Sequence, residues 1–244
     1  MNESQKVALV TGATRGIGFE TVRQIAATGV RTLLAGRDAA RTAEAAKKLR
    51  DEGLPVDPIV LDVADPASVA AAAREVTETY GRLDILVNNA GILLDALDKA
   101  PSEQTVDTWR DTFDTNLFAV VEVTKAFLPL IKASPAGRIV NVSSQLGSLA
   151  LHNDPSSSIY GFKIPAYNVS KTAVNAWTVH LAYELRDTPI KVNAIHPGYV
   201  QTDMNGGNGE IDVPTGAKSS VEMALLDANG PTGTFTYLGK TLPW

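Results

Sequence analysis

The chain contains no cysteine in 244 residues. Disulfides, thiol nucleophiles and thiolate metal sites are thereby excluded. Histidine is nearly as scarce. His152, His180 and His196 are widely spread and match no metal-ligand spacing, so no metal is expected. No stretch approaches the roughly 20 apolar residues of a membrane span. Nor is there a basic run: 22 Lys and Arg stand against 27 Asp and Glu, a formal net charge of -5. A mildly acidic chain without a cationic stripe argues against nucleic acid and membrane as partners. The polar residues ahead of Val7 lack the apolar stretch of a secretory signal. A soluble cytoplasmic protein is the expectation.

What is present is an ordinary globular composition, 44% apolar and 20% charged, over a length that suits one domain, 1–244. Short apolar runs alternate with helical segments. Strands are expected at 7–10, 32–35, 56–61, 85–87, 138–142, 190–195 and 234–237. Helices are expected at 17–28, from the second strand to about 52, then at 66–80, 105–132, 166–186 and 219–227. Strands without polar alternation are buried on both faces. Strands alternating with helices of a dozen residues imply right-handed crossovers. The fold class is therefore α/β, a single doubly wound parallel sheet of about seven strands. Two stretches break the rhythm, at 145–164 and 205–218, each after a strand end. Loops there, over 145–165 and 203–219, are placed to shape a substrate pocket, although disorder of the second is an equal reading.

Gly12, Gly16 and Gly18 follow the first strand and open the first helix, with Thr14, Arg15 and Ile17 between them. Gly12 allows a tight turn, and the other two clear the way for a pyrophosphate at the helix N-terminus. In this position a glycine turn predicts a dinucleotide site. An acidic residue at the end of the second strand would bind a ribose 2′-hydroxyl. Here Gly36 and Arg37 stand at that point. Arg37 and Arg15 suit a 2′-phosphate, so NADP(H) is the expected cofactor. Asp38 opposes this unless it caps the next helix.

Tyr167 and Lys171 are four residues apart, which places them on one helix face. A neighbouring ammonium favours phenolate, so the spacing predicts a tyrosine of lowered pKa that serves as an acid.

These motifs, with Asn88 to Gly91, Asn116, Ser143-Ser144 and Pro197 to Thr202, resemble the short-chain dehydrogenase/reductase family in order and over the whole chain. The resemblance implies an NADPH-dependent reduction of ketones or aldehydes. Tyr167 would be the general acid, Lys171 its partner, and Ser144 the hydroxyl that orients the substrate, with Ser143 as the alternative register. Asn116 would open its helix locally and seat a water that links Lys171 to solvent. Asp62 and Val63 would lie at the adenine, unless Asp62 is a helix cap. Asn88, Asn89, Ala90 and Gly91 would line the adenosine side. Pro197, Gly198, Val200 and Thr202 would line the nicotinamide side. Leu93, Leu94, Leu146, Ile164, Tyr199 and Met204 would make an apolar pocket for a hydrophobic carbonyl compound. Oxidation of an alcohol by the same residues, or non-catalytic sensing of NADP(H), are the alternatives.

Ser144 and Tyr167 are 23 residues apart. This exceeds the family's usual spacing by roughly ten residues, as in its carbonyl reductase branch, and long insertions are commonly functional. Such an insertion is expected to cover the helices that carry Asn116 and Tyr167, which favours a monomer over a homodimer or tetramer.

Overall fold

The computed structural model describes residues 5–244; residues 1–4, the start of the polar lead, lie outside the described residues. The strands are β1 (Val7–Val10), β2 (Arg31–Gly36), β3 (Val56–Val60), β4 (Ile85–Asn88), β5 (Arg138–Val142), β6 (Lys191–Ile195), β7 (Phe235–Tyr237) and β8 (Lys240–Thr241). They lie in the order β3-β2-β1-β4-β5-β6-β7-β8. The first seven are parallel and β8 is antiparallel to β7. The order reverses between β1 and β4, so the crevice for a ligand opens at their carboxyl ends.

The helices are α1 (Gly16–Ala26), α2 (Ala39–Asp51), α3 (Pro66–Tyr80), α4 (Val106–Phe113), α5 (Ala119–Lys132), α6 (Leu149–Asn153), α7 (Pro165–Glu184) and α8 (Val213–Ala224). Successive side chains of a strand point to opposite faces. In β1, Val7 and Leu9 accordingly join one core with Val76, Phe127 and Leu181 of α3, α5 and α7. Ala8 and Val10 join the other with Ile25, Leu49 and Met223 of α1, α2 and α8. Both faces of the sheet are thus covered.

Three departures from the sequence reading have local causes. The long helix is not uniform: between α4 and α5 it widens to a π turn at Asp114–Phe118, where the Ala119 N–H reaches back to the Asp114 carbonyl. The last helix begins at Val213, well before the expected 219, because Asp212 accepts the Thr215 N–H and Pro214 occupies the first turn. Its glycine and proline had read as loop. The added strand β8 follows a two-residue turn, Leu238-Gly239, with φ of 45° and 75°, the geometry that a tight hairpin requires.

The insertion divides: the carbonyls of Gly147 and Phe162 accept the side chains of Thr172 and Asn168 at the start of α7. Its helix α6 lies toward the β7 edge of the sheet, where the Ala150 N–H donates to the Trp244 carbonyl and Trp244 stacks on Phe235. Phe118, and Val169, Val179 and Tyr183 along α7, stay exposed. These exposed apolar side chains are a surface that a homodimer would cover. Light scattering on a sized sample separates the two states: the mass of one chain for the expected monomer, a multiple of it for association through this stripe.

Candidate active site

The glycine turn is held by the loop after β4. Thr11 Oγ1 accepts the N–H groups of Asn89 (3.0 Å) and Ala90 (3.1 Å), and Asn89 Nδ2 donates to the Thr11 carbonyl at 2.8 Å. The two segments are so close that a Cβ on Gly12, whose φ is +62°, would stand 2.9 Å from Ala90 Cα. Only glycine fits there. The residue before α1, Arg15, gives no side-chain cap, so the first backbone N–H groups of α1 remain available to an anion.

This turn forms one wall of a cleft of about 950 Å³. Gly12, Thr14, Arg15, Gly16, Ile17 and Gly18 line it, with Arg37, Asp62 and Val63 from the ends of β2 and β3. Asn89, Ala90 and Gly91 follow from β4, and Pro197 and Thr202 from the segment after β6. Asp62 is not a helix cap. Asp65 caps α3, while Asp62 Oδ1 accepts the Ala64 N–H in a local turn at the cleft.

A second lobe of about 370 Å³ shares Thr14, Arg15 and Arg37 with the cleft and adds Asp38, Arg41, Glu44 and Lys48. Asp38 is occupied as the cap of α2, accepting the Arg41 N–H at 2.8 Å. Glu44 pairs with Lys48 at 2.9 Å. Arg37 and Arg41 line the lobe, and neither side chain forms an ion pair among the described residues. Arg15 pairs with Asp203 at 2.7 Å, but both are largely exposed. Such a pair is worth less than about 1 kcal/mol, so a phosphate dianion competes with it readily. An acidic side chain cannot replace Gly36, where a Cβ would meet Thr14 Cγ2 and Thr42 Oγ1 at 2.5 Å. The residues therefore fit a dinucleotide with a 2′-phosphate. Arg41 is an addition to the sequence reading, and its place in the first turn of α2 was the available signal.

At the other end of the cleft stand Tyr167 and Lys171, one turn apart on α7. Lys171 Nζ lies 5.6 Å from the Tyr167 ring centre and donates to the Val142 carbonyl at 2.9 Å. Burial pushes the Tyr167 phenol up to about 12, with a hydrogen bond to Ser144 pulling it back. Burial brings the Lys171 ammonium down to about 8. The expected lowering of the phenol by Lys171 is thus reversed. Desolvation disfavours both charged forms and is the main cause of each shift. Below about pH 8 Lys171 is a cation beside a protonated phenol.

Ser144 Oγ meets the phenol and accepts the Leu146 N–H at 3.1 Å. The Ser143 hydroxyl is tied to Asn175 Oδ1 at 2.6 Å and the Lys171 carbonyl at 3.3 Å, which leaves Ser144 as the available hydroxyl. Asn116 is fully buried in the π turn. It exchanges two hydrogen bonds with the Ile92 backbone (2.8 and 2.9 Å) and donates to Ser170 Oγ on α7 at 3.0 Å.

Leu93, Leu94 and Met204 border the cleft; Leu146, Ile164 and Tyr199 do not. Leu146 is held in a short turn, with its carbonyl on His152 Nε2 at 2.9 Å. Ile164 is spent on the entry to α7. The Tyr199 carbonyl pairs with Glu210 and Ile211, and its ring is exposed. Gly198 and Val200 are likewise off the cleft, packed against Ile211 and Gly216 respectively. Asn88 is buried between Thr124 and Asn141 rather than set beside an adenosine. Thr115, Val142, Gln201 and Val213 are cleft residues that the sequence did not disclose. Val213 was hidden by the loop reading of its segment. Among the described residues no group of three or more His, Cys, Asp or Glu is placed to hold a metal. No helix among them is long and apolar enough to cross a membrane.

A cleft of this form belongs to dinucleotide-dependent oxidoreductases of the doubly wound class. A family model described as short chain dehydrogenase matches residues 6–211. The chain belongs to that family. It is 36% identical to (+)-neomenthol dehydrogenase of Arabidopsis thaliana, over 96% of each chain. It is also 36% identical to carbonyl reductase (NADPH) 1 of Mus musculus, over all of both. The structure of NADPH-bound carbonyl reductase from chicken fatty liver superposes with a TM-score of 0.84 at 28% identity, covering 98% of this chain and 99% of that one.

The environment of Lys171 is open to direct measurement. In carbon-13 NMR of lysine-labelled protein, the resonance absent from Lys171→Ala should titrate with a midpoint near 8. A midpoint above the ordinary lysine value of about 10.4 would mean that attraction to the phenol outweighs burial.

Proposed function

We propose that the protein is an NADPH-dependent reductase of hydrophobic ketones and aldehydes. The observation that carries this reading is the placement of Tyr167 and Lys171, with Ser144 hydrogen-bonded to the phenol, at one end of a cleft whose other end holds Arg15, Arg37 and Arg41. Bound there, NADPH would supply the hydride that the carbonyl carbon accepts. Ser144 holds the carbonyl oxygen, and the π electrons move onto that oxygen as the new C–H bond forms. Tyr167 then gives up its phenol proton to make the alcohol. Even when raised by burial, the phenol is a stronger acid than an alcohol, so the transfer runs downhill. The Lys171 cation offsets the phenolate left behind until solvent restores the proton.

Leu93, Leu94, Met204 and Val213 supply apolar wall. An apolar substrate gains contact there. The two curated relatives, a neomenthol dehydrogenase and a carbonyl reductase, support this class. The former name also supports the reverse reaction, in which Tyr167 as phenolate takes the alcohol proton.

Turnover is followed by loss of reduced-nicotinamide absorbance with a panel of uncharged ketones and aldehydes. Tyr167→Phe should lower kcat by about two to four orders of magnitude while NADPH still binds; undiminished turnover would remove the acid role. Arg37→Asp should weaken the use of NADPH and improve that of NADH. Survival of the NADPH preference would show that the phosphate is held elsewhere.

A further inference from the structure

We propose that Asp95, in the loop after β4, is a positioning residue that fixes Tyr167 through the N-terminus of α7. The inference rests on the proposed acid role of Tyr167.

The helix that carries Tyr167 begins without a cap of its own. Ile164 occupies the cap position and offers no side-chain acceptor, and Pro165 follows in the first turn. The next two N–H groups, of Ala166 and Tyr167, would be left unpaired in a buried setting. Asp95 satisfies both from across the cleft. The Ala166 N–H donates to Asp95 Oδ1 and the Tyr167 N–H to Oδ2, each at 2.9 Å. Asp95 is itself buried.

The loop that carries Asp95 is fixed at two points. Asn116 pairs with both backbone groups of Ile92. Gln104 does the same for Ala96, accepting its N–H at 3.0 Å and donating to its carbonyl at 2.8 Å. On the other side of Tyr167, its carbonyl accepts the Ser170 hydroxyl at 2.7 Å, and Ser170 is held by Asn116. The Tyr167 backbone is therefore gripped at its N–H by Asp95 and at its carbonyl through Ser170. Leu93 and Leu94, immediately before Asp95, border the cleft. One short segment thus sets both the substrate wall and the height of the phenol.

The test compares Asp95→Ala and Asp95→Asn, each in the parent protein and in Tyr167→Phe. Misplacing a reacting group by about 1 Å costs on the order of a hundredfold. Asp95→Ala should accordingly lose about tenfold to a hundredfold in kcat, with NADPH affinity by fluorescence close to that of the parent. Asp95→Asn keeps one acceptor and should lose less; if the alanine variant does not fold, the comparison is made with it. The tyrosine Cζ resonance that disappears in Tyr167→Phe should shift in both variants. In Tyr167→Phe, the Asp95 substitutions should cost almost nothing further, because their effect passes through the phenol. A folded Asp95→Ala with the parent's kcat, or the same factor lost in both backgrounds, overturns the inference and leaves the reductase reading intact. Full turnover by Tyr167→Phe alone overturns both.

Discussion

The constraint on which the structure depends is a parallel sheet covered on both faces. Its seven parallel strands leave their carboxyl ends on one edge, and the chain there has no ladder to satisfy its backbone. Side chains from neighbouring loops take over. Thr11 and Asn89 bind the glycine turn to the β4 loop. Asn116 binds that loop to the π turn, Gln104 closes it, and Asp95 ties it to α7. The cleft is built from the same polar groups that complete the backbone hydrogen bonding of this edge. The glycine turn and the helix that carries Tyr167 are consequently one connected piece, although their residues are far apart in the chain.

The cleft is electrostatically divided. Its arginine lobe is exposed, so guanidinium charge costs little desolvation and remains available to an anion. Its tyrosine end is desolvated, and there burial sets the protonation states: the phenol is raised and the ammonium lowered. This keeps the proton on Tyr167 at neutral pH, the state that the proposed reduction uses. The buried carboxyl groups near the sheet serve structure. Asp84 accepts the Val7 N–H and the Ser134 hydroxyl, and Glu20 is held by Arg23 and Gln24.

Local patterns in the sequence determined the strand and helix alternation, the glycine turn, the arginine at the end of the second strand, and the Tyr-x-x-x-Lys pair on one helix face. Each is encoded within a few residues by period, backbone freedom or charge, and each survives without knowledge of what packs against it. α3 was legible to the residue because Asp65, Pro66 and the αL glycine Gly81 mark both ends. α8 was not, because Gly216 and Pro214 serve a helix there and resemble loop residues out of context. Only the tertiary structure decided which serine is free, since Ser143 is taken by Asn175, 32 positions away. It alone sent α6 of the insertion to Trp244, buried Tyr167 so that its phenol is raised and not lowered, and brought Asp95 to a helix that starts 70 residues later. Those outcomes rest on desolvation and on contacts between distant segments, which become defined only when the chain has closed around them.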